Sequence, residues 1–487
     1  MAKLTDADIQ DIISRVKQRV AHGDIEGKVS SALDAAAAVE ADDEDLGDGV
    51  FATVDEAVGA AKVAFGKYQA IGLDGRKKIV EAIRASMREN NEKLAYMARQ
   101  ETGLGRADDK VLKNHLVIER TPGPEDLEPQ VVTGDKGMTI TEFAPYGVIG
   151  AITPTTNPTS TIINNAIAIL SAGNAVTFNV HPSARKVSTE NVKLINQAIR
   201  SVHGPENLVT SIAVPTLDSA QALMQHPDVR VLLVTGGPGV VKEALRTPKK
   251  AITAGPGNPP AVVDQTADIE KAAKAIVRGA SFDNNVICVD EKTTIVVDTV
   301  ADRLIQHMVA AGSYRLKEHE LKKLERVIFK ELGAPNKPGV IDGRFIGRDA
   351  AVILNEIGVS VPAETRLILA EVPVEHSLVW TEQMMPVMPV VRVKDVDAAI
   401  DLAVRSEHGF RHTASIHSTN VDTITRMAKA MNCSIFVANG SNVAGLGSEG
   451  EGYTSFSIAS PTGEGLTKPR TFSRERRVSV VGALRIV

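Results

Sequence analysis

The sequence has little cysteine, no long apolar run and no strong excess of charge of either sign. Two cysteines in 487 residues leave no disulfide framework and suit a reducing cytosol. No apolar run reaches membrane-spanning length, and the first residues lack the basic start and apolar core of a signal peptide. The formal net charge of −5 gives no electrostatic reason to expect nucleic acid binding. We therefore expect a cytoplasmic protein whose partners include neither nucleic acid nor membrane.

The chain is long enough, and apolar enough, for two or more domains. It is 43% hydrophobic and 24% charged, which is ordinary for globular proteins. Helical periodicity predicts helices over residues 54–68, 76–89 and 91–102. From Val148 the chain alternates between short β-branched strands and helices, starting with a strand over residues 148–152. This alternation predicts a doubly wound α/β fold with parallel strands, which binds its ligands at the carboxyl ends of the strands.

The first 48 residues differ from the rest. Apolar residues recur at helical spacing over residues 1–20, and an acidic, alanine-rich stretch over residues 21–48 is typical of a flexible linker. One short amphipathic helix cannot bury its apolar face alone. Three interpretations stay open for it: docking on the same chain, binding a partner protein, or lying on a membrane surface. The acidic residues on its polar face make the membrane the weakest of the three.

Two turns at predicted strand ends carry candidate ligand-binding residues. Residues 153–158 follow the strand over 148–152 and include Asn157, whose amide is suited to donate to a developing oxyanion; a helix-capping asparagine is the alternative. Residues 235–239 follow another strand and open a helix, where glycines let a phosphate approach the helix N-terminus. This turn does not match the G-x-G-x-x-G pattern, so a purely structural turn is an equal alternative.

Cys288 lies between a polar, turn-prone run, residues 283–285, and the β-rich segment 293–297. A cysteine on a loop can act as a nucleophile through its thiolate. A small buried hydrophobe is the alternative. Cys433 lies in an apolar strand, where we expect a packing role.

Several ordered motifs over residues 50–487 resemble the aldehyde dehydrogenase superfamily. More narrowly, the chain is similar to the CoA-acylating propionaldehyde and acetaldehyde dehydrogenases of bacterial microcompartments. The segments that carry the resemblance are residues 144–150, 153–158, 173–183, 281–292, 445–456 and 461–465.

The resemblance implies a mechanism and a set of site residues. Cys288 would be the nucleophile, and Asn157, with the Cys288 backbone N–H, would hold the oxyanion. The cofactors would be NAD and, as co-substrate, coenzyme A, and no metal is expected. The cofactor-binding residues would be Thr153, Pro154, Thr155, Asn179, His181, Pro182, Thr235, Gly236, Gly237, Gly239, Gly255 and Glu382.

Departures from the family pattern refine this prediction. Hydrolytic members carry a general-base glutamate where this chain has Ala254, so water should attack the acyl-enzyme slowly and the CoA thiol should take the acyl group. Asp283 or Glu291 acting as a substitute base is the alternative. Where hydrolytic members have a ribose-binding lysine, this chain has Asn179 and His181 nearby, which favours NAD over NADP because a 2′-phosphate requires a cation.

The resemblance also predicts the organisation of the chain. Residues 1–20 would be an encapsulation helix that docks to microcompartment shell or core proteins, which would place the enzyme inside a bacterial microcompartment. Residues 49–124 and 146–253 would bind NAD, residues 254–465 would be catalytic, and a β flap of residues 125–145 and 466–487 would build a homodimer or tetramer. Two other functions stay open: a hydrolytic aldehyde dehydrogenase, and a catalytically idle assembly protein.

Overall fold

The structure is a computed structural model that describes residues 46–487. The helix predicted over residues 1–20 and all but the end of the linker predicted over residues 21–48 lie outside the described residues. Asp48, at the predicted linker's end, accepts hydrogen bonds from Gln197 Nε2 at 2.8 Å and Arg200 Nη1 at 2.7 Å. The folded part thus begins before residue 48, earlier than predicted, because this carboxylate is fixed to a helix of the same chain.

A short strand and four helices begin the described chain. They are β1 Val50–Phe51, α1 Val54–Tyr68, α2 Leu73–Glu89, α3 Asn91–Thr102 and α4 Ala107–Arg120. Thr53 starts α1 with a capping box, in which its hydroxyl accepts from the Glu56 N–H and the Glu56 carboxylate accepts from the Thr53 N–H. The predicted bounds of α1 and α3 are confirmed, whereas α2 begins three residues before the prediction, with Gly72 at its N-cap and Asp74 in its first turn, where a carboxylate suits the helix dipole.

A hairpin follows, formed by β2 Gln130–Gly134 and β3 Gly137–Pro145. Gly137 has a φ of +121° at the turn, and a β-carbon there would lie 2.0 Å from the carbonyl oxygen of Val480. Only glycine suits this position, where the C-terminal strand passes closely.

The first large sheet has six strands, all parallel. Its remaining strands are β4 Val148–Ile152, β5 Ala175–Asn179, β6 Val209–Ile212, β7 Val229–Thr235 and β8 Lys250–Ala254. The helices between them are α5 Pro158–Ser171, α6 Arg185–Ser201, α7 Leu217–Gln225 and α8 Pro238–Leu245. The strand order β1-β6-β5-β4-β7-β8 is that of a doubly wound sheet, which confirms the predicted α/β fold.

The second half of the chain repeats this architecture with a larger sheet. Its strands are β9 Pro260–Val263, β10 Thr293–Val297, β11 Ser313–Arg315, β12 Phe329–Glu331, β13 Val340–Ile341, β14 Leu367–Glu371, β15 Val387–Val393, β16 Thr413–His417 and β17 Ile435–Ala438. Its helices are α9 Ile269–Ser281, α10 Asp298–Ala310, α11 Glu318–Ile328, α12 Ala350–Asn355, α13 Ser377–Trp380, α14 Val396–Ser406 and α15 Val421–Met431. Seven strands form a parallel sheet in the order β11-β14-β15-β10-β9-β16-β17, and β12 pairs with β13.

Both faces of this second sheet are buried. Along β9, Ala261 and Val263 belong to one hydrophobic cluster, whereas Val262 belongs to the other. Successive side chains on a strand point to opposite faces, so a strand covered on both sides must be apolar throughout. The continuous apolar runs in the sequence therefore mark the middle of the sheet.

Three more strands complete the chain: the short β18 Ile458–Ala459 and β19 Gly465–Leu466, and the nine-residue β20 Ser473–Val481. β20 pairs antiparallel with β3 from Ser473↔Pro145 to Val481↔Gly137 and completes a three-stranded sheet with β2. Within residues 46–487, no helix combines the length and the apolar character that crossing a membrane requires.

Candidate active site

Four strands of the first sheet end at the edge of a cavity of about 590 Å³. The parallel register explains why these ends coincide. Ile152, the last residue of β4, is paired with Asn179 and Val234, and Thr235 is paired with Ala254. The turns that follow these strands therefore converge, as expected at the carboxyl edge of a doubly wound sheet.

Every residue that the sequence predicts for the site lines this one cavity. The set comes from six separate places in the chain, and it includes the proposed nucleophile, the proposed oxyanion donor and all of the proposed cofactor-binding positions. The lining residues in question are Thr153, Pro154, Thr155, Asn157, Asn179, His181, Pro182, Thr235, Gly236, Gly237, Gly239, Gly255, Cys288 and Glu382. The structure brings these residues together, and the roles assigned to them stay predictions.

The turn between β7 and α8 is open toward the cavity. A β-carbon at Gly237 or at Gly239 would meet no other atom within 4 Å. The turn leads directly into α8, whose first backbone N–H groups have no partner within the helix. Bare backbone beside a helix N-terminus fits a phosphate group, so these residues fit a dinucleotide cofactor.

Two polar residues, Asn179 at the end of β5 and His181 just after it, differ in how free they are to bind a ligand. Asn179 is buried, and its Oδ1 already accepts a hydrogen bond from Ser219 Oγ at 2.5 Å. His181 is exposed, and its Nδ1 accepts from the Ser183 N–H at 3.2 Å. His181 is therefore the better placed of the two for a ribose. No lysine or arginine is found among the residues that line the cavity.

Cys288 is held by a loop with an unusual backbone. Asp283, Asn284 and Asn285 have φ values of 45°, 56° and 65°, a left-handed run that only glycine, asparagine and aspartate adopt readily. Asn285 Nδ2 ties the run down by donating to the carbonyl oxygens of Ala280 at 2.8 Å and Glu291 at 2.9 Å. The polar residues before Cys288 therefore shape the loop that presents the sulfur.

A buried lysine holds the same loop from behind. Lys292 is 1% exposed, and its Nζ donates to Asn285 Oδ1 at 2.6 Å, to the Asn285 carbonyl at 2.8 Å and to the Ile287 carbonyl at 3.1 Å. These three acceptors satisfy all three N–H bonds of an ammonium group. Lys292 thus fixes the backbone on the N-terminal side of Cys288 and places a positive charge near it.

The Cys288 thiol is partly exposed at the cavity wall. Removal from water raises its pKa above the usual range for cysteine, and the neighbouring Glu382 carboxylate raises it further, whereas Lys292 lowers it. Burial likewise raises the pKa of Glu382, whose Oε1 accepts from the Gly257 N–H at 3.3 Å. Without cofactor or substrate, the sulfur therefore rests mainly as the neutral thiol at neutral pH.

Asn157 stands at the start of α5 and faces the same cavity. Its Oδ1 accepts a hydrogen bond from Lys113 Nζ at 2.6 Å, and its Nδ2 donates to Thr156 Oγ1 at 3.2 Å. The side chain makes no capping bond to its own helix. Asn157 therefore occupies the N-cap position of α5 but does not cap the helix with its side chain, because the amide oxygen accepts from a lysine of α4.

The cavity holds little that can act as a general base toward water. Ala254 lines it at the end of β8, and Glu382 is the single carboxylate residue among its lining residues. Neither of the two alternative bases lines it: Asp283 is fully buried against Lys110 and Lys113, and Glu291 accepts from the Asn442 N–H at 2.8 Å. The expectation that hydrolysis lacks a positioned base is consistent with this lining.

Sequence reasoning missed three buried groups around the site. Lys113 and Lys292 are not assigned a function by any motif, and His412 was left without one. His412 is buried, and burial lowers its pKa to about 4, so its ring is neutral. A β-carbon at Gly257 would lie 3.1 Å from the His412 ring and 2.7 Å from the Cys288 carbonyl oxygen. The absence of a side chain at Gly257 therefore lets the His412 ring pack close to the loop that carries Cys288.

Two parallel α/β sheets, with a cysteine and an asparagine that line one cavity at the strand ends, are the arrangement of an aldehyde dehydrogenase. The model of the aldehyde dehydrogenase family matches residues 46–320 and 365–455. The chain therefore belongs to the aldehyde dehydrogenase family.

Particular relatives are similar over nearly the whole described chain. The acetylating acetaldehyde dehydrogenase EutE of Salmonella typhimurium is 48% identical over 440 residues, which cover 90% of this chain and 94% of that protein. The propionaldehyde dehydrogenase of Rhodopseudomonas palustris, solved with bound CoA and an acylated cysteine, is 48% identical with a TM-score of 0.88, covering 91% of this chain and 100% of the other.

Two further solved structures bear on compartment and cofactor. A propionaldehyde dehydrogenase from the fucose utilisation microcompartment of Clostridium phytofermentans is 45% identical with a TM-score of 0.87, covering 90% of this chain and 100% of that one. An engineered glycolyl-CoA reductase with bound NADP⁺ is 48% identical with a TM-score of 0.87, covering 91% and 100%.

Proposed function

We propose that this protein is a CoA-acylating aldehyde dehydrogenase that converts a short-chain aldehyde such as propanal or acetaldehyde, CoA and NAD⁺ into acyl-CoA, NADH and a proton. One observation carries the proposal. Cys288, Asn157 and Ala254 line one cavity, and the family resemblance assigns to Ala254 the position at which hydrolytic members carry their glutamate. A cysteine and an oxyanion donor suffice to make a thioester, and the missing base leaves that thioester to a thiol rather than to water.

The first half-reaction forms the thioester on Cys288. The sulfur attacks the aldehyde carbon, and the thiol proton leaves to solvent. The carbonyl oxygen becomes an oxyanion that accepts hydrogen bonds from Asn157 Nδ2 and from the Cys288 backbone N–H. The chemistry that the nicotinamide cofactor supplies when bound is acceptance of the hydride lost as the carbon is oxidised.

The second half-reaction transfers the acyl group to CoA. The CoA thiol loses its proton to solvent as its sulfur attacks the thioester carbon, and the same two donors hold the oxyanion again. The bond between the carbon and the Cys288 sulfur then breaks, and Cys288 leaves as the thiolate, which takes up a proton from solvent. Glu382 lines the cavity together with the turns that follow β4, β5 and β7. We assign Glu382 and these turns to binding of the nicotinamide cofactor. No carboxylate other than Glu382 lines the cavity to activate a water molecule, so hydrolysis of the thioester is slow.

We propose NAD rather than NADP as the preferred cofactor. The residues that line the cavity include no lysine or arginine to pair with a 2′-phosphate. The similar glycolyl-CoA reductase with bound NADP⁺ is an engineered protein. Initial rates at equal concentrations of NAD⁺ and NADP⁺ test this choice, and an equal or higher rate with NADP⁺ overturns it.

The decisive test is NADH formation from propanal and NAD⁺ with and without CoA. We expect sustained turnover only with CoA, with propanoyl-CoA as product, and without CoA at most one equivalent of NADH per site. Equal sustained rates with free propanoate as product establish the hydrolytic alternative. If neither propanal nor acetaldehyde is turned over, although Cys288 reacts with iodoacetamide under the same conditions, the result favours the alternative of a catalytically idle assembly protein.

A pair of variants at Ala254 separates the missing base from simple crowding. Ala254→Glu supplies a carboxylate at the cavity wall and is expected to raise the share of free acid in the product. Ala254→Gln adds a side chain of the same size without a base and leaves that share unchanged. If both variants give the same share of free acid, the absence of a glutamate at position 254 is not the reason for slow hydrolysis.

We infer a division of labour along the chain. Residues 49–124 and 146–253, which contain the six-stranded sheet, hold the cofactor, and residues 254–465 carry Cys288. Residues 125–145 and 466–487 join subunits into a dimer or tetramer. Their sheet leaves Val131, Val132, Val478 and Val481 54–84% exposed, and such an apolar face favours burial against a second copy.

We also propose that residues 1–20 load the enzyme into a bacterial microcompartment by docking to its shell or core proteins. The apolar stripe of this segment in the sequence supports the proposal, as does the similar protein from the Clostridium phytofermentans fucose utilisation microcompartment.

A further inference from the structure

We propose that Lys113 is a positioning residue for the reaction, which locks the Asn157 amide with its N–H groups toward the reacting oxygen. The proposal rests on the function proposed above, in which Asn157 stabilises the oxyanion. No motif of the sequence points to Lys113, which lies 44 positions before Asn157.

The argument begins with the chemistry of the two groups. An asparagine side chain has one acceptor end and one donor end, and rotation by half a turn exchanges them at little cost when both ends face water. An oxyanion donor must present only the NH₂ end, since the carbonyl end would repel the developing charge. The site therefore needs something that distinguishes the two ends of Asn157.

Lys113 supplies this distinction because an ammonium group can only donate. Its Nζ lies 2.6 Å from Asn157 Oδ1, and the opposite orientation of the amide would bring two donors together. Lys113 is 1% exposed, so water offers no alternative partner. With Oδ1 turned to Lys113 and one hydrogen of Nδ2 directed to Thr156 Oγ1, the other hydrogen is left for the cavity.

The lysine is in turn held by a buried carboxylate. Asp283, 0% exposed, accepts from Lys113 Nζ and, at 2.9 Å, from Lys110 Nζ. Its Oδ1 accepts from the Arg106 N–H at 2.6 Å. Asp283 is also the first residue of the left-handed run that leads to Cys288. One carboxylate thus connects the support of the oxyanion donor with the loop that carries the nucleophile.

Lys110 provides a matched control for Lys113. Both lysines lie on α4, both are at most 2% exposed and both donate to Asp283 Oδ2. Lys110 reaches the Thr156 backbone carbonyl, at 3.5 Å, whereas Lys113 holds the Asn157 side chain. Lys110→Met and Lys113→Met therefore remove the same charge from the same cluster, and Lys113→Met alone frees the amide.

The experiment compares steady-state kinetics of the wild type, Lys113→Met, Lys110→Met, Asn157→Ala and Lys113→Met/Asn157→Ala with propanal, NAD⁺ and CoA. Removing an oxyanion donor outright lowers kcat roughly 100- to 1000-fold. We expect Lys113→Met to lower kcat and kcat/KM alike by about 10- to 100-fold, since it disorders that donor. Lys110→Met changes both constants much less, and the double variant is no slower than Asn157→Ala.

A second readout distinguishes positioning from damage to the fold. Iodoacetamide alkylates Cys288 without forming an oxyanion, so its rate stays at the wild-type value in Lys113→Met. If Lys113→Met does not fold, Lys113→Met/Asp283→Asn, which removes the opposite charges together, takes its place.

Three results overturn the proposal: equal losses in the two lysine variants, a further loss when Lys113→Met is added to Asn157→Ala, or slower alkylation in Lys113→Met. Failure of the proposed function itself is separate, because it appears as missing CoA-dependent turnover in the wild type.

Discussion

At the scale of single residues, the site consists of a sulfur whose surroundings resist its ionisation. Glu382 opposes formation of the thiolate and Lys292 favours it, and burial outweighs the lysine. A nucleophile kept neutral until substrates arrive is protected from stray electrophiles, because the thiolate is the reactive form. The charges that face Cys288 therefore act on the pKa of its thiol, and through that pKa on the fraction of reactive thiolate at a given pH.

Replacing Glu382 by glutamine tests this balance. The carboxylate raises the pKa of the Cys288 thiol, so its removal lowers that pKa and increases the thiolate fraction at every pH below it. We expect alkylation of the cofactor-free enzyme by iodoacetamide at pH 7.5 to accelerate about 3- to 10-fold, since one pKa unit is a tenfold change in thiolate. The pH dependence of the rate should shift to lower pH.

Glu270→Gln, on the exposed face of α9, serves as the control and leaves the rate unchanged. A slower or unchanged rate in Glu382→Gln means that the carboxylate does not act on the sulfur.

Sequence reasoning found the residues that face the cavity but not those that support them. Cys288, Asn157 and Glu382 follow local motifs, and residues in such turns converge because parallel strands end at one edge. Lys113 contacts a residue 44 positions away and another 170 positions away. Nothing in the local sequence encodes contacts at such separations, since they depend on how α4 packs against α5 and the nucleophile loop.

At the scale of elements, one signal for the buried lysines was present in the sequence. Lys110, Lys113 and Val117 recur at spacings of three and four on α4 and share its buried face with Asn114 and Ile118. Lysines at the core positions of an amphipathic helix need buried partners. The bounds of α1 and α3 could be predicted from the helical spacing of apolar residues in the sequence. The order of the strands in the sheets could not be predicted, because strands pair with partners that are distant in the sequence.

Helix packing near the site leaves no room at Gly279 in α9. A β-carbon there would lie 2.1 Å from Glu291 Oε2 and 2.3 Å from Ser441 Oγ. Gly279→Ala is therefore expected to lower the free energy of unfolding by about 1–3 kcal/mol, as overpacking does. It should also reduce activity, because Glu291 follows the Cys288 loop directly.

Gly66→Ala in α1 is the matched control. Gly66 is exposed and its β-carbon would meet nothing within 4 Å, so the change is expected to stabilise by about 0.5–1 kcal/mol. Denaturant midpoints measure both variants. Equal stability of Gly279→Ala and the wild type means that α9 moves aside without cost.

At the scale of the whole molecule, the alternation of strands and helices from Val148 onward predicted a doubly wound parallel sheet, but not that the second half of the chain forms a parallel sheet of its own. It did not predict that β1 lies at one edge beside β6, nor that the C-terminal strand returns to β3. These pairings join segments that are far apart in the chain, and a local pattern contains no information on such partners.

Deleting residues 1–20 tests the proposed loading segment. The residues proposed for catalysis and cofactor binding all lie within residues 46–487, so we expect kcat and KM to be unchanged and loading into microcompartments to be lost. Co-purification with shells, compared between full-length and shortened enzyme, measures the loading. Loss of activity on deletion favours the alternative in which this segment docks on its own chain.

The pairing of β20 with β3 has a consequence for biosynthesis. Pro145 meets Ser473, a partner that the ribosome makes roughly 330 residues later. At about 5–20 residues per second, the hairpin of β2 and β3 waits tens of seconds for its third strand. If subunits join through this sheet as proposed, a nascent chain cannot recruit its partner during translation, and assembly begins only after the finished polypeptide has been released.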